Sequence, residues 1–242
     1  MGREIALSPT AGTAARKPRW IGTMRIEPLR ELRRVYCAGP LFNEAERREM
    51  LSIAQVLAKA GFEPFVPHAD GMEFALVHPY LVEEGYDAQS AGRVLHEAVF
   101  ALDTYQVVIG CGSLVLNLNG RVPDEGAVAE TTMAWMLGKP LVIFKEDARS
   151  AIAGRDNPLI VGQTRFETID ELAAIPAALE VRIAEFEGDV ARPFDCPAHL
   201  AEVVKRGGRL WEQLQALGSE RPDPAVAEIV LDLFGRPRAC GA

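Results

Sequence analysis

From Arg34 onward, apolar and polar positions alternate between short buried runs and helical stretches. "RVYCAGP" (34–40) is β-branched and apolar up to a Gly-Pro stop, the pattern of a buried strand ending in a turn. In "NEAERREMLSIAQVLAKAG" (43–61), Met50, Ile53, Ala54 and Leu57 recur at helical spacing between an Asn43 cap and a Gly61 stop. "FEPFVP" (62–67) predicts a second strand, and strand, helix, strand in succession implies a parallel pair with a right-handed crossover. Residues 68–90 are polar and broken by Gly, Pro and Asp, which predicts a long loop of the kind that carries function. A helix over 91–106, a strand over 113–119, a helix over 126–138 and a strand over 140–146 continue the alternation. The expected fold is an open, doubly wound α/β domain of the flavodoxin or Rossmann-like kind, with a parallel sheet flanked by helices. Such sheets bind ligands beyond the carboxyl ends of their strands, where Gly39-Pro40, the His68–Gly71 turn and "NGRVPDEG" fall.

The chain's ends add two segments. Residues 1–33 mix Ser, Thr, Gly, Pro and Arg without periodicity and read as a loosely docked arm. Residues 34–190 hold the α/β domain, and 191–242 form a C-terminal extension with two amphipathic helices, "PAHLAEVVKRGGRLWEQLQALG" and "PAVAEIVLDLFG".

Composition narrows the partners. With 26 Lys and Arg against 34 Asp and Glu, a net charge of −8 and no basic run, the chain lacks a nucleic-acid-binding surface, and a small-molecule partner fits better. Cys37, Cys111, Cys196 and Cys240 are scattered, with neither a CxxC pair nor a histidine cluster beside them, so reduced thiols are expected and no metal site. No apolar run is long enough to span a bilayer or to serve as a signal core, which predicts a cytoplasmic protein without membrane contact.

The helix over 126–138 raises the chemical question. Glu130 stands among Ala127, Val128, Ala129, Met133, Ala134, Trp135 and Met136, leaving little solvated face. A carboxylate so placed is paired, protonated, used in chemistry, or set on the one exposed stripe. Near the start of a helix at the ligand-binding edge, the macrodipole favours its ionised form, a good nucleophile toward an anomeric carbon. Asp124 reads as an N-cap, Gly126 as a turn or a close approach to a ligand, and Asp103 as either a surface carboxylate or a proton donor.

Taken together, "VYCAGPLFNEAER", "VPDEGAVAE", "GKPLVIF" and "GRDNPLI" resemble, in order, the signatures of the nucleoside 2-deoxyribosyltransferases and the related nucleotide N-glycosidases. The resemblance covers roughly 34–165. It implies that Glu130 attacks the anomeric carbon, that Tyr36 orients Glu130, and that Asp103 acts on the base side as the proton source. It further implies that Asp124 holds the sugar hydroxyls and that Gly39, Pro40, Asp70 and Gly126 lie at the substrate. Asn157 would reach the sugar from a neighbouring subunit, making a homo-oligomer. The substrates would be a nucleoside and a free base, exchanged by double displacement with retention and without metal or organic cofactor.

Two departures stand out. "PHADG" replaces the family's base-reading Gln, and "NLNG" ends the third strand where many members have Asp-Gly. The alternatives are an N-glycosidase hydrolysing a nucleoside or its 5′-monophosphate, and a non-catalytic nucleotide sensor. The absence of Ser-rich loops favours a nucleoside, although Arg121 and helix N-termini could bind an anion.

Overall fold

The computed structural model describes residues 23–26, 31–120, 122–147, 156–186, 194–218 and 220–235. Cys240, Arg121 and most of the N-terminal arm lie outside the described residues.

Four parallel strands make the central sheet: β2 (Arg34–Ala38), β3 (Glu63–Phe65), β4 (Ser113–Asn117) and β5 (Leu141–Phe144). Their order is β3-β2-β4-β5, so the chain moves outward in opposite directions from the central pair β2 and β4. Period-two alternation sorts the side chains of β2. Val35 and Cys37 pack with helix α1 (Glu44–Lys59) and helix α6 (Ile175–Ala184) on one face. Tyr36 and Ala38 pack on the other with Leu114, Leu116 and Ala134 of helix α4 (Glu125–Met136). Helices on both faces of a parallel sheet define the doubly wound architecture expected from the sequence. The crevice between β2 and β4 is its topological switch point.

The caps follow local chemistry. Asn43 accepts from the backbone N–H groups of Ala45 and Glu46 at 2.9 and 3.0 Å, satisfying two of the donors that open α1. Asp87 caps helix α3 (Ala88–Tyr105) through Ser90 N–H at 2.9 Å.

The segment 68–90, expected as a loop, is a correction. It contains a π-type turn over Pro67–Gly71 and a full helix, α2 (Phe74–Glu83). Pro79 sits inside α2, and burial of Val77 and Leu81 against α3 outweighs the backbone hydrogen bond that a proline cannot donate. The helix α5 (Pro158–Val161) and α6 complete the α/β unit.

The C-terminal helices α7 (Ala198–Ala216) and α8 (Asp223–Phe234) build a second core with α2 and α3, through Leu210, Leu214, Val226 and Val230. Gly207 allows the approach of α7 to α3, since a Cβ there would stand 2.0 Å from the Ala101 carbonyl oxygen. A short strand of the arm, β1 (Thr23–Ile26), pairs antiparallel with β6 (Phe194–Pro197). Among the described residues no helix is long and apolar enough to cross a membrane. Cys37, Cys111 and Cys196 are buried free thiols.

Candidate active site

Strand β2 and helix α4 meet at the switch point. Because Tyr36 occupies the α4-facing register of β2, its ring is fully buried and stacks on Phe65, centroids 5.5 Å apart. Its hydroxyl donates to Glu130 Oε1 at 2.7 Å. Glu130 lies in the second turn of α4, past the first-turn donors, where the macrodipole has faded.

Burial pushes the Glu130 carboxyl well above the usual range, and the charge of Asp103 pushes the same way. The Tyr36 hydrogen bond pulls it back, being strongest to the ionised form. The dipole-favoured ionised acid expected from the sequence is corrected here: desolvation dominates, and Tyr36 is the contact that supports a negative charge. Asp103 comes from the last turns of α3, and burial raises its carboxyl to about 7. Because each carboxyl feels the other's charge, the two titrate as a pair.

Asp124 caps α4, with Oδ1 accepting from Ala127 N–H at 2.6 Å. Its Oδ2 has no partner among the described residues, and burial raises its pKa, with the charges of Glu125 and Glu46 adding to the effect. It is thus a cap with one oxygen to spare, and the two readings of this residue are compatible.

Asp103, Asp124 and Glu130 line one cavity of about 320 Å³, together with Gly39, Leu41 and Phe42 from the turn after β2. Its far wall is His68, Met72, Glu73, Phe74 and His96, with Arg47 at the side. Arg47 bridges the walls, donating to the Leu41 carbonyl and to Glu73, each at 2.9 Å. Phe74 meets the His96 ring edge-on, centroids 5.1 Å apart. The cavity thus combines carboxyl groups with aromatic and imidazole rings.

Of the remaining expected positions only Gly39 lines the cavity. Pro40 is buried one residue beyond the cavity and lines a neighbouring one. Gly39 is small because a Cβ would stand 2.4 Å from Met50 Sδ. Asp70 turns back to accept from Val66 N–H at 2.7 Å. Gly126 is exposed beside the capping carboxylate. Asn157 caps α5, with its side-chain oxygen accepting from Leu159 N–H at 3.0 Å, and does not line the cavity of its own chain. Among the described residues, no group of three or more His, Cys, Asp or Glu is placed to hold a metal ion.

Residues 35–207 match the family model described as Nucleoside 2-deoxyribosyltransferase. The chain belongs to the nucleoside 2-deoxyribosyltransferase family. A solved structure described as a conserved protein from Enterococcus faecalis V583 is similar at 20% identity and a TM-score of 0.43, covering 62% of this chain and 98% of that one. No curated protein matches. The family span runs from β2 into α7, so it takes in the cavity and Glu130 together with half of the helix that follows β6. Within this member, the Arg47–Glu73 bridge and the Phe74–His96 wall were not foreseen from the sequence. The one available sign was "EFALVH", whose apolar run marks a helix rather than a loop.

Proposed function

We propose that this family member exchanges the base of 2′-deoxyribonucleosides through a covalent deoxyribosyl–Glu130 intermediate. The observation that carries the reading is the 2.7 Å Tyr36–Glu130 hydrogen bond, set inside a cavity that Asp103 and Asp124 share. The pair holds one proton in the reactive state. The Tyr36 hydroxyl lies on the Glu130 side, so the charge belongs on Glu130 and the proton on Asp103. Glu130 attacks C1′, the N-glycosidic electrons leave with the base, and Asp103 hands its proton to the departing ring nitrogen. The free oxygen of Asp124 accepts from the sugar hydroxyls. A second base then attacks C1′ from the opposite side, its proton returns to Asp103, and Glu130 is released.

A nucleoside suits the site better than its 5′-phosphate. Beside the Pro40 turn, a second cavity of about 890 Å³ is walled by Glu46, Glu49, Glu146 and Asp147, with no Lys or Arg among its described lining residues. A phosphate dianion entering there would meet carboxylates instead of donors. The reading also includes a homo-oligomer. Leu159, two residues after Asn157, is 82% exposed, and Met136 and Trp135 at the end of α4 are 76% and 52% exposed. Exposed apolar side chains of this size suit contact with a second copy that carries Asn157 to the neighbour's sugar.

The test is incubation of deoxyinosine with free adenine, analysed by chromatography. Deoxyadenosine should form, and Glu130→Ala should abolish it. Release of deoxyribose regardless of adenine would replace transfer by hydrolysis. Binding of nucleosides without cleavage would leave a sensor.

A further inference from the structure

Pro67 and His68 of the π-type turn Pro67–Gly71 line the cavity, and the turn is held from outside the α/β unit. Arg221, in the linker between α7 and α8, donates through Nη1 to the Asp70 carbonyl and, at 3.3 Å, to the Gly71 carbonyl. Its guanidinium lies 5.4 Å from the Trp211 ring. Trp211 meets Phe65 edge-on at 5.6 Å, and Phe65 stacks on Tyr36. From the inside, the Asp70 carboxylate closes the turn on Val66 N–H. Gly71 is buried, with Phe65 and Leu102 side chains 3.4 and 3.5 Å from where a Cβ would stand.

His68 sits in the middle of this turn and lines the cavity. Its Nδ1 is shut from solvent and has no hydrogen-bond partner. The ring therefore meets the cavity through its other atoms, the buried Nδ1 being closed off by the protein itself. Burial, and next the charge of Arg47, lower the His68 pKa, against the charges of Glu73 and Asp70. The imidazole is therefore neutral, with one donor and one acceptor nitrogen, as suits the edge of a heterocyclic base.

We propose that Arg221 is a positioning residue, fixing the Pro67–Gly71 turn so that His68 reads the base. This rests on the proposed reading of the cavity as a nucleoside site. The C-terminal helices then belong to substrate recognition as well as to the core, because the linker between them sets the base wall. Arg221 touches neither sugar nor base and acts only through two backbone carbonyls.

The experiment compares Arg221→Ala and Arg221→Lys with the unmodified chain by two readouts. In steady-state base exchange, Arg221→Ala should raise the KM for the acceptor base about tenfold while kcat stays within about twofold, in line with the loss of a charge-assisted hydrogen bond. Arg221→Lys, which keeps a cationic donor, should recover much of that. Independently of turnover, ring-proton NMR of the four histidines should show the His68 midpoint rising toward its ordinary 6.5 in Arg221→Ala. In Arg221→Lys it should stay low. An unmoved His68 titration overturns the proposal. So does a loss of kcat with unchanged base KM, or Arg221→Lys no better than Arg221→Ala in both readouts. Were the unmodified chain to exchange no base, the proposed activity would fall, while the NMR comparison would still decide what Arg221 holds.

Discussion

Replacing Asp103 by Asn should stabilise the protein increasingly as pH rises. The shape is asymmetric, because the side chain is partly buried in the cavity wall and desolvation is what raises its pKa. In the folded state the carboxyl titrates at about 7 instead of its ordinary 3.8, so the folded protein holds a proton that the unfolded chain releases. Stability therefore falls as pH climbs from the unfolded value through the folded one, and the loss is complete above it. At about 1.4 kcal/mol per pKa unit, the ceiling on that loss is about 4 kcal/mol. An amide of the same shape does not titrate. Its own cost, a buried group with unmet hydrogen bonds worth about 1–3 kcal/mol, is the same at every pH. The diagnostic is thus the difference between variant and parent plotted against pH, measured by urea unfolding from about pH 4.5 to about pH 8.5. It should start near zero or negative and rise by up to about 4 kcal/mol. Titrations that do not feel Asp103 cancel in the difference, whereas that of Glu130, which the Asp103 charge raises, adds to the rise in the same direction. A flat difference would mean that Asp103 is not held protonated by burial, and the proton source of the proposed reaction would be lost with it.

Three further outcomes follow from single contacts. Tyr36→Phe removes the 2.7 Å donor to Glu130 and should lower kcat/KM by about 10- to 100-fold, matching about 1.5–3 kcal/mol for a buried hydrogen bond to a charge. Its pH–rate profile should shift upward, because the contact that favours ionised Glu130 is gone; an unchanged profile would count against the pairing. Gly207→Ala drives a Cβ to 2.0 Å from the Ala101 carbonyl and should destabilise by about 1–3 kcal/mol despite alanine's better helix propensity, read as a lower urea midpoint at constant slope. On the proposed homo-oligomer, Leu159→Asp should shift sedimentation toward monomer and reduce base exchange with it, and a variant of unchanged sedimentation and full activity would count against the proposed role of Asn157.

The α/β unit was legible because each strand from 34 to 144 is a short apolar run ending in a turn, and each crossover helix carries a cap and a stop. Glu130 was legible for a related reason, as a lone charge in an apolar helix. Helix α2 was not, since Pro79 and the flanking glycines argue locally for a loop and only packing on α3 overrides them. The desolvation of Glu130 was not legible, because sequence shows position along a helix, whereas desolvation depends on what packs over it. The base wall was hidden for a topological reason: Arg221 lies some 150 residues from the carbonyls it holds, and no local pattern reports that pairing.

On the proposed mechanism, the Tyr36 hydroxyl answers a conflict at Glu130. A carboxylate nucleophile gains reactivity by losing water, but the same desolvation protonates it, and a neighbouring acid that must keep its own proton adds repulsion. Exposure would solve the first problem and forfeit the second. A hydroxyl on the alternate register of β2 resolves the conflict, since it donates to the charged form without bringing a charge or water of its own. Its ring is anchored by Phe65, whose edge contact runs on to Trp211 of α7. The orientation of the nucleophile is thereby tied to the same C-terminal helices that hold the His68 turn, so loosening α7 from α3 should disturb both at once. Gly207→Ala tests this directly: at temperatures where the variant remains folded, its Glu130-dependent rate and its acceptor-base KM should worsen together, whereas Arg221→Ala should move only the second.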